Sequence, residues 1–178
     1  MAVLDIITAP HPLLELRARE VEADEFGAAL ATHVSNMAET MYAAPGVGLA
    51  APQVSDSRRI LVLDPDEREE RGRRFFAFVN PRIVERSKET IPWRETCLSV
   101  PEFEIEIQRS RRVRVEWQAP EDGSPQTGWF EDFESVIVQH ELDHLDGTIL
   151  LDRASRFKRS RYLKKVAKGS KRERVAVR

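Results

Sequence analysis

Residues 139–147 read Gln139-His140-Glu141-Leu142-Asp143-His144-Leu145-Asp146-Gly147. Before them, Phe133, Val136 and Ile137 recur at helical spacing, and a glycine at 147 suits a helix C-terminus. The spacing predicts a helix over about 132–144 that stops at Asp146-Gly147. Positions four apart lie on one face of a helix, so His140 and His144 stand one turn apart. The apolar stripe shares that face, so the imidazoles point into the core. Two imidazoles so placed can bind one metal ion, and Glu141 beside them can act as a general base towards a water on that metal. A third ligand is needed. Asp146, Asp152 and Cys97, the single cysteine, are the candidates.

Working outward, apolar residues recur as Phe26, Leu30, Val34, Met37 and Met41 after Asp24. Asp24 is a good N-cap, and the steps of four and three predict a helix that ends before Pro45. Residues 2–7 are β-prone. Residues 59–64 predict a buried strand, and 75–79 another, ended by Asn80-Pro81. Residues 103–107 alternate apolar and acidic side chains, and 111–117 read as their strand partner. Pro120 to Pro125 is a turn, and the basic stretch 155–168 predicts a C-terminal helix. This order predicts an α+β fold, with mostly antiparallel sheets packed around a central helix that carries the histidines.

At 178 residues the chain is long enough for one domain and little more. No apolar run approaches the roughly 18 residues that cross a bilayer, so no membrane span is expected. The net charge of −2 is an average of unlike parts. Residues 152–178 hold twelve bases and two acids, or +10, and residues 1–151 hold sixteen bases and 28 acids, or −12. A basic segment of this kind suits a phosphate-rich partner. One cysteine cannot form an intramolecular disulfide, and the N-terminus lacks a basic n-region, so a cytoplasmic protein is expected.

Three stretches together resemble the peptide deformylase family. Gly46-Val47-Gly48-Leu49-Ala50-Ala51-Pro52-Gln53 resembles its GxGxAAxQ motif, Glu95-Thr96-Cys97-Leu98-Ser99 its EGCLS motif, and Gln139 to His144 its QHExDH motif. The resemblance covers about residues 1–168, which implies one catalytic domain with its C-terminal helix at about 155–168 and a flexible basic tail over 169–178. It implies one divalent metal held by Cys97, His140 and His144. That ion is Fe²⁺ in cells, and Zn²⁺, Ni²⁺ or Co²⁺ can replace it.

The implied reaction removes the N-formyl group from the formylmethionine of newly made polypeptides and releases formate. A hydroxide on the metal attacks the formyl carbon, with Glu141 as general base and then acid. The Gln53 amide and the Leu98 N–H are the implied donors to the oxyanion. Gly46, Val47 and Gly48 are expected to pair with the peptide backbone, and Val47, Phe133, Val136 and Ile137 to line the methionine pocket. Glu95, paired with Arg109, is expected behind the ligands. The implied partners are formylmethionyl nascent chains and, through the basic C-terminal helix, the ribosome. DNA is not an expected partner, and the expected state is a monomer. Thr96, Glu104 and Pro45 depart from the family pattern. Thr96 stands where glycine is usual, so its backbone is expected either to be ordinary β or to alter the ligand loop.

Overall fold

The computed structural model describes residues 2–66 and 72–176, with side chains described as far as Gly169. A five-stranded sheet runs in the order β1-β2-β3-β6-β7, and β4 and β5 form a separate hairpin. The strands are β1 (Gly48–Ala50), β2 (Ile60–Leu63), β3 (Phe76–Arg86), β4 (Thr90–Cys97), β5 (Val100–Ser110), β6 (Arg112–Gln118) and β7 (Pro125–Glu131). All pair antiparallel. The helices are α1 (Ala28–Ala43), α2 (Asp132–Leu145) and α3 (Arg156–Ala176). No helix among the described residues is long and apolar enough to cross a membrane.

Alternation along β2 explains why its four residues are all apolar and all buried. Ile60 and Val62 face α1, against Leu30, Val34, Met37 and Met41. Leu61 and Leu63 face α2, against Ile137, Val138, Leu142 and Leu145. One face of the sheet is thus covered by each helix. A third cluster joins Cys97 and Val100 of the hairpin to Leu150 and Leu151 in the 3₁₀ turn before α3 and to Tyr162 of α3. The helix α2 lies between the sheet and the hairpin, with close approaches to both. This is the expected α+β arrangement around a central helix.

Several boundaries differ from expectation, each for a local reason. Residues 2–7 form no strand. They run extended and are pinned by Leu4 N–H to Thr40 Oγ1 and Ile7 N–H to the Gln53 carbonyl, both at 2.8 Å. Asp24 does not cap α1, because Ala23–Glu25 forms a 3₁₀ turn and the cap is Gly27 at φ +123°. Asn80 does not end β3. It sits at φ +51° in a bulge, and its side chain bonds both backbone groups of Val21 and the amide of Gln118. The partner of β5 is β4, not residues 111–117, which pair as β6 with β3 and β7. The helix α3 continues past 168 to Ala176, since Lys, Arg and Glu propagate a helix and no proline intervenes. Residues 177–178 lie outside the described residues.

Candidate metal centre

Burial alternates along β4, with Thr90, Pro92, Arg94 and Thr96 exposed and Glu95 and Cys97 buried. This register turns Trp93, Glu95 and Cys97 towards α2. A two-residue turn, Leu98-Ser99, returns the chain to Val100, which pairs with Cys97. Opposite, α2 projects His140, Glu141 and His144. The loop before β1 and a 3₁₀ turn at Ala51–Val54 complete the wall with Gln53.

Among the described residues, one group could hold a metal: Cys97, His140 and His144, with ligand atoms all within 4.8 Å of one another. Cys97 Sγ lies 3.2 Å from His144 Nε2. His140 Nδ1 lies 2.7 Å from Glu95 Oε2, which leaves His140 Nε2 for an ion. Burial alone would raise the Cys97 thiol, but His144 and His140 beside it bring its pKa down to about 5. A thiolate and two imidazoles are the donors a divalent transition ion prefers, so the residues fit such an ion. Asp146 and Asp152 are engaged elsewhere. Asp146 pairs with Arg59 and Asp152 with Arg159, each at 2.8 Å.

Glu141 is 5% exposed, and its Oε2 has no hydrogen-bond partner. Burial, only partly offset by His140 and His144, lifts its pKa to about 7. Gln53 is oriented by the Ala50 N–H, which donates to Oε1 at 2.8 Å. Its NH₂ group therefore points to Ser99 Oγ at 3.1 Å and Cys97 Sγ at 3.8 Å. Arg109 forks onto Glu95 at 2.6 and 2.9 Å, with both residues buried. The pairing expected between Glu95 and Arg109 is therefore present, and Glu95 also holds the imidazole of His140.

Gly46, Val47, Gly48, Gln53, Leu98, Phe133, Val136, Ile137, His140, Glu141, Glu95 and Cys97 line one cavity of about 490 Å³. His144 and Arg109 stand behind its wall. Gly46 and Gly48 have no positive φ. They are small because neighbours press close: a Cβ on Gly46 would lie 2.9 Å from Leu98 Cδ1, and one on Gly48 would lie 2.9 Å from Glu141 Cγ and Cδ. Thr96 is ordinary extended strand, so its branched side chain is unstrained, and it is exposed at the edge of the cavity. Glu104 meets Arg94 across the hairpin at 3.3 Å.

Sequence reasoning missed Trp93, Arg94 and Pro101, which also line the cavity. Trp93 stacks on Phe133, with ring centroids 5.2 Å apart and planes at 25°. The period-two spacing of Ile91, Trp93 and Cys97 was the available signal. Glu95 and Pro92 within the same run disguise it.

The model of the polypeptide deformylase family matches residues 3–160. The chain is 41% identical to a peptide deformylase of Desulfotalea psychrophila over 168 residues, covering 94% of this chain and 97% of that one. It is 42% identical to a peptide deformylase of Phenylobacterium zucineum over 180 residues, covering 96% and 99%. Among solved structures, the peptide deformylase of Ehrlichia chaffeensis superposes with a TM-score of 0.87 at 34% identity, covering 97% of this chain and 99% of that one.

Proposed function

The chain belongs to the polypeptide deformylase family, and from that membership and the geometry of the cavity we propose a role for each side chain. The enzyme is a metal-dependent hydrolase that removes the formyl group from the N-terminal formylmethionine of newly made polypeptides. Cys97, His140 and His144 would hold the divalent ion. When bound, that ion supplies Lewis acidity towards the formyl oxygen and makes an ionised water available near neutral pH.

The convergence of those three donors beside the buried, unpartnered Oε2 of Glu141 carries the reading. Glu141 takes a proton from the attacking water and returns it to the departing amine, a two-way role suited to a carboxylate that burial pushes above its ordinary range. The Gln53 amide, held carbonyl-inward by Ala50, donates to the oxygen that becomes negative, together with the Leu98 N–H. Gly46, Val47 and Gly48 receive the peptide backbone as an added strand. Val47, Phe133, Val136 and Ile137 take the methionine side chain. Glu95, fixed by Arg109, aligns His140.

Finer points belong to the same reading. Fe²⁺ is the resident ion, replaceable by Zn²⁺, Ni²⁺ or Co²⁺. Residues 1–168 act as one catalytic domain in a cytoplasmic monomer. The cationic helix α3 contacts ribosomal RNA phosphate, supported by a groove along Phe157, Arg161, Lys164, Lys165 and Lys168. Formate release from formyl-Met-Ala-Ser by metal-loaded protein, compared with Glu141→Ala, tests the catalytic assignment. A variant as active as the parent overturns it. Salt-sensitive ribosome binding that is lost on truncation at Ala154 tests the helix, and binding unchanged by truncation or salt counts against it.

A further inference from the structure

The fourth residue of the His140–His144 motif, Asp143, takes no part in the metal group, which among the described residues comprises Cys97, His140 and His144. Nor does it help its helix. It lies in the last turn of α2, where the dipole favours cations over carboxylates. Both its oxygens are bonded to arginines. Arg109 Nη1 donates to Oδ2 at 2.8 Å, while Arg153 Nη2 donates to Oδ1 at 2.5 Å and its Nε to Oδ2 at 3.3 Å. The same Arg109 forks onto Glu95, and Glu95 Oε2 meets His140 Nδ1 at 2.7 Å. The bonds run from His140 to Glu95, Arg109 and Asp143, and so return to α2 three residues from where they began.

We propose that Asp143 is a positioning residue for the metal ligand His140, acting through Arg109 and Glu95, and that Arg153 completes the brace from the turn before α3. A lone Glu95 could align the imidazole but could also swing away with it. The fork of Arg109 fixes both Glu95 oxygens. Arg109 is itself 5% exposed and can turn only if its remaining donor is released from Asp143. The ring therefore sets the imidazole relative to the helix that carries it. Charges alternate along the brace, and Arg153 balances the second carboxylate. Because Arg153 is half-exposed, with 43% of its side chain accessible, it contributes less than the buried members.

This inference rests on the reading of Cys97, His140 and His144 as ligands, and a double-mutant cycle separates the two. Zn²⁺ affinity of the full chain is measured by chelator competition for the parent, Glu95→Gln, Asp143→Asn, the double variant, Asp143→Glu and Arg153→Ala, with His140→Ala as control. Asp143→Asn is expected to weaken Zn²⁺ binding by about 10- to 100-fold, the usual effect of losing a group that orients a ligand. In the Glu95→Gln background the same change should have little further effect, because the connection is already cut. Asp143→Glu should recover most of the affinity, and Arg153→Ala should lose a smaller factor in the same direction. Additive losses in the double variant, as from general loosening of the fold, overturn the proposal, as does Zn²⁺ affinity unchanged in both Asp143→Asn and Arg153→Ala. Zn²⁺ affinity unchanged in His140→Ala overturns the metal-centre reading instead.

Discussion

Replacing Gly48 by alanine would press a methyl group against the carboxylate of Glu141. The added Cβ would run into Glu141 Oε1 and stand 2.9 Å from both Cγ and Cδ of the same side chain. Carbon atoms in favourable contact lie about 3.5–4.0 Å apart, so roughly 0.6–1 Å must be found. Gly48 has no positive φ, so alanine brings no backbone strain and the effect is confined to this overlap. Its strand is paired to β2 and α2 is packed between sheet and hairpin, so neither backbone yields easily. The Glu141 side chain must therefore turn aside. A displacement near 1 Å at a reacting centre costs about 100-fold in rate, within the 10²–10⁴-fold that a general base typically contributes. Overpacking of this kind costs about 1–3 kcal/mol of stability, a tolerable loss for a folded domain. Formate release, metal content and thermal unfolding should be followed together. The expected result is kcat lowered about 100-fold, with metal content held and the protein folded. Gly46→Ala is the internal contrast. Its one overlap is with the end of Leu98, at 2.9 Å, where a flexible side chain can move away, while the Gly48 carbonyl at 3.4 Å and Met41 Cγ at 3.5 Å are in ordinary contact. Its kcat should fall by less than about 5-fold, the displacement being absorbed away from the base. A folded, metal-bearing Gly48→Ala variant with the parent's rate would refute the placement of Glu141.

Three further outcomes follow from the same geometry. Trp93→Ala removes the ring stacked on Phe133 of the methionine pocket and should raise KM for formyl-Met peptides about 5- to 20-fold, from lost aromatic and thioether contact, with kcat little changed; an unchanged KM would show that Trp93 takes no part in that pocket. Burial raises Glu95 towards the neutral form, but Arg109 and His140 outweigh it and hold its pKa at about 2, against an ordinary 4.5. A depressed pKa stabilises the fold above the ordinary value, so up to about 3 kcal/mol should be lost as pH falls from 4.5 towards 2. Glu95→Gln should flatten that loss in pH-dependent unfolding, and an identical profile would contradict the buried pairing. Glu141 alone titrates at about 7, and a bound cation lowers it. The acid limb of kcat/KM should therefore fall between 4.5 and 7, and a limb above that range would point to another base.

The helix α2 was legible because its histidines, apolar stripe and terminal glycine all agree on one period. The buried strand β2 was legible for a similar reason, being apolar on both faces. The strand β4 was not. Glu95 occupies an inward position and Pro92 interrupts the run, so a strand that delivers Cys97 to the candidate metal group looks polar and broken. The mispairing of β5 followed from that omission, since residues 111–117 were the nearest alternating stretch. Asn80-Pro81 reads as a stop by propensity. In the fold it is a bulge, held in place by the Asn80 side chain, which bonds Val21 and Gln118. The metal group was readable from residue types, since few side chains bind transition ions. The Asp143 brace was not, because it joins three elements through contacts that no local spacing encodes. Nor was the reason for Gly48, which lies in a carboxylate more than ninety residues away.

Formate release from formyl-Met-Ala-Ser, measured side by side for metal-loaded parent and metal-loaded Glu141→Ala, is the most direct test of how these side chains divide the chemistry. The parent should release formate, and the variant should keep its metal yet lose about 10²–10⁴-fold in rate. Equal rates at equal metal content would contradict Glu141 as the base, and no formate from the metal-loaded parent would contradict the cavity as the site of deformylation.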